Sequence, residues 1–217
     1  MPAIPTLITG PADAPLTLVL AHGAGAGMDT PFMETMAEGL AAAGWRVVRF
    51  EFPYMTRARE EGRRRPPDAQ GRLLDTWRSV IDQLGGPEGL VLGGKSMSGR
   101  MASLMAARVR PAGLLVLGYP FHPPGKPDRP RIEHLGDLRC PALILQGERD
   151  SFGKPDEVAG YDLPEEIRLA WVPDGDHSFK PRKRSGHSEA GNLAWAVAQA
   201  DAFLRGLAGL QAGWRSS

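Results

Sequence analysis

The chain has 217 residues, 42% of them hydrophobic and 24% charged, enough for one domain to bury a core without disulfides or metals. Its 26 basic and 25 acidic residues leave a formal net charge of +1, so no overall field draws it to nucleic acid or to an anionic membrane. A single cysteine, Cys140, excludes an internal disulfide framework and a cysteine-rich zinc site.

The first apolar run, Leu16 to Ala21, predicts a strand, followed by the glycine-rich His22-Gly23-Ala24-Gly25-Ala26-Gly27. Thr30 then stands as a helix cap with Pro31 at the first helical position. A second strand is predicted over Arg46 to Phe52, and the polar, Pro/Arg-rich stretch Thr56 to Asp68 is expected to be a long loop. Leu73, Leu74, Trp77, Val80, Ile81 and Leu84 follow helical spacing. Gly89 to Leu92 predicts a strand, Met101 to Val109 a helix and Gly113 to Leu117 a strand. The polar stretch His122 to Arg131 is too short to form a lid domain. Strands over Pro141 to Gln146 and Ile167 to Val172 follow, and Leu193, Val197, Ala200, Phe203, Leu204 and Leu207 predict a last helix. Most of the strand runs are rich in Val, Leu and Ile rather than alternating, as strands covered on both faces are. Alternating strands and helices predict an α/β fold, a doubly wound and mainly parallel sheet, compact and lidless, over residues 1–217 as one domain. In such a sheet the functional loops gather at the carboxyl ends of the strands.

One such edge carries a chemical constellation. Leu90-Val91-Leu92-Gly93-Gly94-Lys95-Ser96-Met97-Ser98-Gly99-Arg100 runs from strand to helix through a turn with small residues two before and two after Ser96. This is the pattern of a nucleophile elbow, with Ser98 where G-x-S-x-G ends in glycine. A serine hydroxyl is a poor nucleophile at neutral pH and needs a base, and the base needs a third group to fix its tautomer. Asp150, after the strand ending at Gln146, and His177, after the strand ending at Val172, supply these in the Ser, Asp, His order of the α/β-hydrolase arrangement. The backbone N–H groups of Met97 and Ala24 are the candidate oxyanion hole, and His22 is read as fixing its loop. Asp174 and Asp176 are the alternative acids, read first as turn formers, and His187 is the alternative base. His122 and His134 are expected to line the substrate site or face solvent. Arg57, Tyr119, Lys180 and Arg182 are candidate substrate-binding residues, although the basic clusters that hold Arg57 and Arg182 read first as solvated loops.

Two rival motifs share these residues. Gly89 to Ser96 satisfies G-x-x-x-x-G-K-[ST] literally, but its first glycine precedes the strand instead of ending it, so the backbone cannot wrap a phosphate. Gly23 to Gly27 with Glu51 approaches a dinucleotide fingerprint, but Met28 occupies the third required glycine.

His22 to Gly27, Phe52-Pro53-Tyr54-Met55, Gly94 to Met101 and Gly175-Asp176-His177-Ser178-Phe179-Lys180 together resemble a small α/β-hydrolase family related to dienelactone hydrolases. That family includes uncharacterised bacterial proteins, a testis-expressed protein and a subunit of the NSL acetyltransferase complex. The resemblance covers nearly the whole chain and implies the α/β-hydrolase fold. The elbow nucleophile of dienelactone hydrolases is cysteine; the corresponding residue here is Ser96, which argues against a dienelactone substrate. The expectation is a serine hydrolase of small esters, thioesters or lactones, with no metal or cofactor and no nucleic-acid or membrane partner. The alternative is a catalytically silent scaffold that binds a protein partner. Met1 to Gly10 has no basic segment followed by an apolar run, and no stretch approaches the ~18 apolar residues of a membrane span, so a cytoplasmic location is expected.

Overall fold

The computed structural model describes residues 3–215. Its strands form one seven-stranded sheet, β1 (Thr6–Thr9), β2 (Thr17–Ala21), β3 (Arg46–Phe50), β4 (Leu90–Lys95), β5 (Gly113–Leu117), β6 (Ala142–Gly147) and β7 (Ile167–Val172), in the order β1-β3-β2-β4-β5-β6-β7. The six strands from β2 to β7 pair parallel, and only β1 runs antiparallel, on β3 at the edge. All six predicted strands are present. Thr6–Thr9 escaped the sequence reading because its TLIT is short, and its central residues face outward rather than into the core.

Side-chain alternation along these strands builds two cores. Leu18, Leu20, Val47, Leu115, Leu117, Leu143 and Leu145 face the helices α1 (Pro31–Ala42) and α6 (Glu189–Arg215). Val19, Phe50, Leu92, Leu114, Val116 and Ile144 face α3 (Gln70–Gln83) and α4 (Met97–Val109), where Trp77 is fully buried. Apolar side chains on both faces explain the near-continuous hydrophobic runs of β2 to β6, which have no wet side.

One of the two expected loops differs from the structure. Part of Thr56 to Asp68 is helical, because α2 spans Pro53–Glu60 with Pro53 at its start and Tyr54 buried beneath it. Proline's fixed φ suits a first helical turn, and that signal outweighs the polar composition that follows. The segment from β5 to β6 carries no helical lid, only the 3-10 turn Glu133–Asp137. A short helix, α5 (Pro155–Val158), lies between β6 and β7.

Within the strand order, the chain leaves β2 toward β3 on one side and returns at β4 on the other. The carboxyl ends of β2 and β4 therefore diverge into connections that run in opposite directions. That is the topological switch point, where an open α/β sheet offers a crevice.

Candidate active site

Ser96 stands at that crevice, between β4 and α4, with φ 56° and ψ −117°. So strained a backbone at a non-glycine residue exposes the side chain at the top of the sheet. The turn closes because Gly94 has no side chain: a Cβ there would lie 2.7 Å from both the carbonyl carbon and the Cβ of Ser98. Gly94→Ala is expected to cost about 2–3 kcal/mol as overpacking and, at roughly 2–4 °C per kcal/mol for a chain of this size, to lower Tm by roughly 5–10 °C. A calorimetric shift under ~2 °C would show that the elbow yields instead.

His177 lies on the loop after β7. Its Nε2 is 2.7 Å from Ser96 Oγ, and its Nδ1 is 2.7 Å from Asp150 Oδ2. Asp150 is fully buried after β6, where its Oδ1 accepts from Phe152 N–H at 2.9 Å and its Oδ2 from Gln146 Nε2 at 3.0 Å. The carboxylate is thus fixed in orientation before it meets the imidazole. Phe152 packs on the ring, with centroids 4.5 Å apart. Space for the imidazole comes from Gly118, at φ +72° after β5, where a Cβ would lie 3.3 Å from His177 Cε1 and Nδ1. Ser96, His177 and Asp150 are therefore hydrogen-bonded in one chain, an arrangement that could pass the Ser96 proton to His177 if Oγ attacked a carbonyl.

The loop after β2 faces the serine. Ala24 and Gly25 line the same cavity of about 410 Å³ as Ser96 and His177. Neither Ala24 N–H nor Met97 N–H has an acceptor among the described residues, so both are available to a developing oxyanion. The loop is held from three sides. His22 is fully buried, accepts from Phe52 N–H at Nε2 over 3.1 Å, and donates from Nδ1 to Gly23 O over 2.7 Å. Burial lowers its pKa and keeps the ring neutral, as this tautomer requires. Tyr54 Oη donates to Ala24 O at 3.0 Å, and Ser98 Oγ donates to the His22 carbonyl. The serine that replaces the usual elbow glycine is therefore a tie between α4 and the opposite loop. Tyr54, Ser98 and Gln146 were missed as supporting residues, since nothing in their local sequence points across the molecule.

The other candidates lie elsewhere. Asp174 accepts from Arg182 N at 2.7 Å and Arg182 Nε at 2.8 Å, and these bonds hold its carboxyl down to about 2. Asp176 accepts from the N–H groups of Ser178 and Lys180, forming the turn that follows His177. His187 is exposed. His122 is buried against Glu157, and His134 meets Ser103 Oγ at 2.7 Å with its pKa lowered by burial to about 4, so neither lines the Ser96 cavity.

The four proposed substrate-binding residues are also absent from that cavity. Tyr119 is fully buried and donates to Arg131 O. Arg57 pairs with Asp68, Lys180 with Glu189, and Arg182 with Asp174. Each charge has an acid of its own within reach, which composition alone does not reveal. The rival motifs fail structurally as well: Gly94 and Lys95 lie within β4 rather than in a phosphate loop, and Glu51 is spent on Arg59 at 2.7 Å. Among the described residues, no cluster of three or more His, Cys, Asp or Glu is arranged to hold a metal ion. No helix among them is long and apolar enough to cross a membrane.

A family model for the alpha/beta hydrolase domain matches residues 14–205. The chain belongs to that family. Its α/β-hydrolase fold recurs in solved structures of low sequence identity. Est1E from Butyrivibrio proteoclasticus superposes with a TM-score of 0.69 at 14% identity, covering 93% of each chain. A serine hydrolase without a lid from Xanthomonas campestris gives 0.63 at 20% identity, over 90% of this chain and 88% of that one. A thermophilic esterase from Thermogutta terrifontis gives 0.67 at 17% identity, over 94% and 93%. At such identities these α/β-hydrolase structures share the fold with this chain, and the chemistry must be argued from its own residues.

Proposed function

We propose that the protein is a serine hydrolase of small acyl substrates, with Ser96 as nucleophile, His177 as general base and Asp150 as the acid that orients it. The observation that carries this reading is the unbroken pair of 2.7 Å contacts from Ser96 Oγ through His177 to a fully buried Asp150. Ser96 Oγ adds to the carbonyl carbon while its proton moves to His177 Nε2, and the oxyanion is received by Met97 N–H and Ala24 N–H. The leaving group departs with that proton. Water, deprotonated by the same imidazole, then releases the acyl group and restores Ser96.

Family membership and the esterases among the fold relatives support a hydrolase over a silent scaffold. The scaffold reading gives no reason to keep Asp150 buried behind a histidine, since burying a carboxylate carries a desolvation cost that an inert site would have no need to bear. A cavity of about 410 Å³ walled by Phe32, Met33 and Phe152 fits short acyl groups. On a series of p-nitrophenyl esters, kcat/KM is expected to peak at acetyl to butyryl and to fall for long chains. Rates that keep rising with chain length would overturn the small-substrate assignment, and a folded protein that a fluorophosphonate does not label would favour the scaffold. No cofactor enters this scheme.

A further inference from the structure

The Ser96 cavity contains a charged side chain that this reaction does not use. Lys95 ends β4, one residue before Ser96, and its side chain is buried, at 9% exposure, while lining the cavity with Ser96 and His177. Nζ donates to the His177 carbonyl and lies 5.1 Å from the ring centroid of Phe32 and 5.7 Å from that of Phe179. Among the described residues, no carboxylate lies within ion-pairing distance of it. The acids that face it, Asp150 and Asp176, act from farther away, and both are spent: Asp150 on His177, Gln146 and Phe152, and Asp176 on Ser178 and Lys180.

An ammonium carries three donors, and one acceptor with two ring faces leaves a buried charge under-compensated. Burial accordingly pushes the group down to about 8. The start of α1 brings more positive potential to the same cavity through Thr30, Phe32 and Met33. Thr30 makes no side-chain cap, and the N–H groups of Phe32 and Met33 have no acceptor among the described residues. Lys95 and the start of α1 line the cavity together, and no carboxylate lines it with them.

We propose that Lys95, aided by the start of α1, binds a carboxylate on the acyl part of the substrate, so that the protein hydrolyses half-esters or half-thioesters of short dicarboxylic acids. The inference rests on Ser96 being the nucleophile. The acyl part is assigned because it stays bonded to Ser96 after the leaving group departs, and Lys95 lines the cavity that holds that bond. The cation that meets the substrate is then a single buried lysine rather than Arg57, Lys180 or Arg182.

The test compares kcat/KM for monoethyl succinate and ethyl 4-methylpentanoate, which carries an isopropyl group where the half-ester has its carboxylate, by following ethanol release. Wild-type protein is expected to prefer the half-ester on the order of tenfold at pH 7, the contribution of one charge-assisted hydrogen bond. The preference should fade as pH rises through about 8, where the free-enzyme ammonium loses its proton. Lys95→Met should bring the ratio to about one. A lysine that merely pins the His177 loop would slow both esters alike and leave the ratio intact.

A wild-type ratio of one or less, a ratio unchanged in Lys95→Met, or a ratio insensitive to pH overturns the proposal. If Lys95→Met does not fold, the wild-type ratio and its pH dependence decide alone. If a fluorophosphonate labels Ser96 but neither ester turns over, monoethyl succinate should retard labelling more than ethyl 4-methylpentanoate does, and equal retardation overturns the subsite. Absence of labelling would defeat the hydrolase reading instead, and calorimetric binding of succinate to wild-type protein then decides the subsite by itself, with no detectable binding overturning it.

Discussion

Ser96→Ala is expected to abolish fluorophosphonate labelling and to lower kcat/KM for any turned-over ester by about 10⁴-fold or more, the scale on which a triad nucleophile acts. The structure makes this a clean substitution. Ser96 Oγ contacts His177 Nε2 across the cavity and carries no part of the core, so the alanine variant should melt within a few degrees of wild type. The strained backbone at φ 56° is retained, because alanine also carries a Cβ and no more bulk. Residual labelling at the wild-type rate would move the nucleophile to another residue. Equal loss of labelling and of the folded signal would point to the elbow's stability rather than its chemistry.

Asp150→Asn should cut kcat by roughly 10⁴-fold with little change in KM. Phe152 N–H donates to Oδ1, and Gln146 Nε2 and His177 Nδ1 both meet Oδ2. In the variant, the amide oxygen remains on the Phe152 side and the amide nitrogen replaces Oδ2. His177 Nδ1 must then accept, so its proton sits on Nε2, facing Ser96, where no proton can be received. The Gln146 donor is left opposed to another donor, so a modest loss of Tm accompanies the loss of rate. Asp174→Asn is the matched control: its carboxylate serves Arg149 and Arg182 and does not touch His177, so activity should stay within a few-fold. If the two variants exchanged phenotypes, Asp174 would take the orienting role.

The sequence was most informative where a local pattern has one structural meaning. The parallel strands β2 to β6 are legible because their two-sided burial writes continuous apolar runs. The half-exposed β7 is legible because Ile167, Leu169, Ala170, Trp171 and Val172 still form an apolar run, and Ser96, Asp150 and His177 because each follows one of these strands. The antiparallel β1 is not, since a four-residue edge strand facing solvent has no such run to write. Nor is the use of charge. Arg57, Lys180 and Arg182 resemble free cations in the sequence, yet Asp68, Glu189 and Asp174 meet them only after folding. Lys95 shows the converse. Within the phosphate-loop lookalike it reads as a rejected motif, and its burial without an acid becomes visible only when β4, α1 and the His177 loop are brought together. Tyr119, beside a functional loop in sequence, is aimed at Arg131 by a register no local pattern sets.

Cys140 lies just before β6, at the end of the sheet remote from Ser96, 4% exposed and with its thiol pushed up by burial to about 11. Thiolate, not thiol, reacts with disulfide reagents, so the native protein hides its lone sulfur both sterically and by protonation. Its modification must wait for the surrounding structure to open, and the rate of thiol exchange under native conditions becomes a clock for that opening. Because the sulfur is distant from the Ser96 crevice, this clock ticks independently of turnover. Variants of the reacting groups can thereby be graded for conformational integrity even when they have no measurable activity.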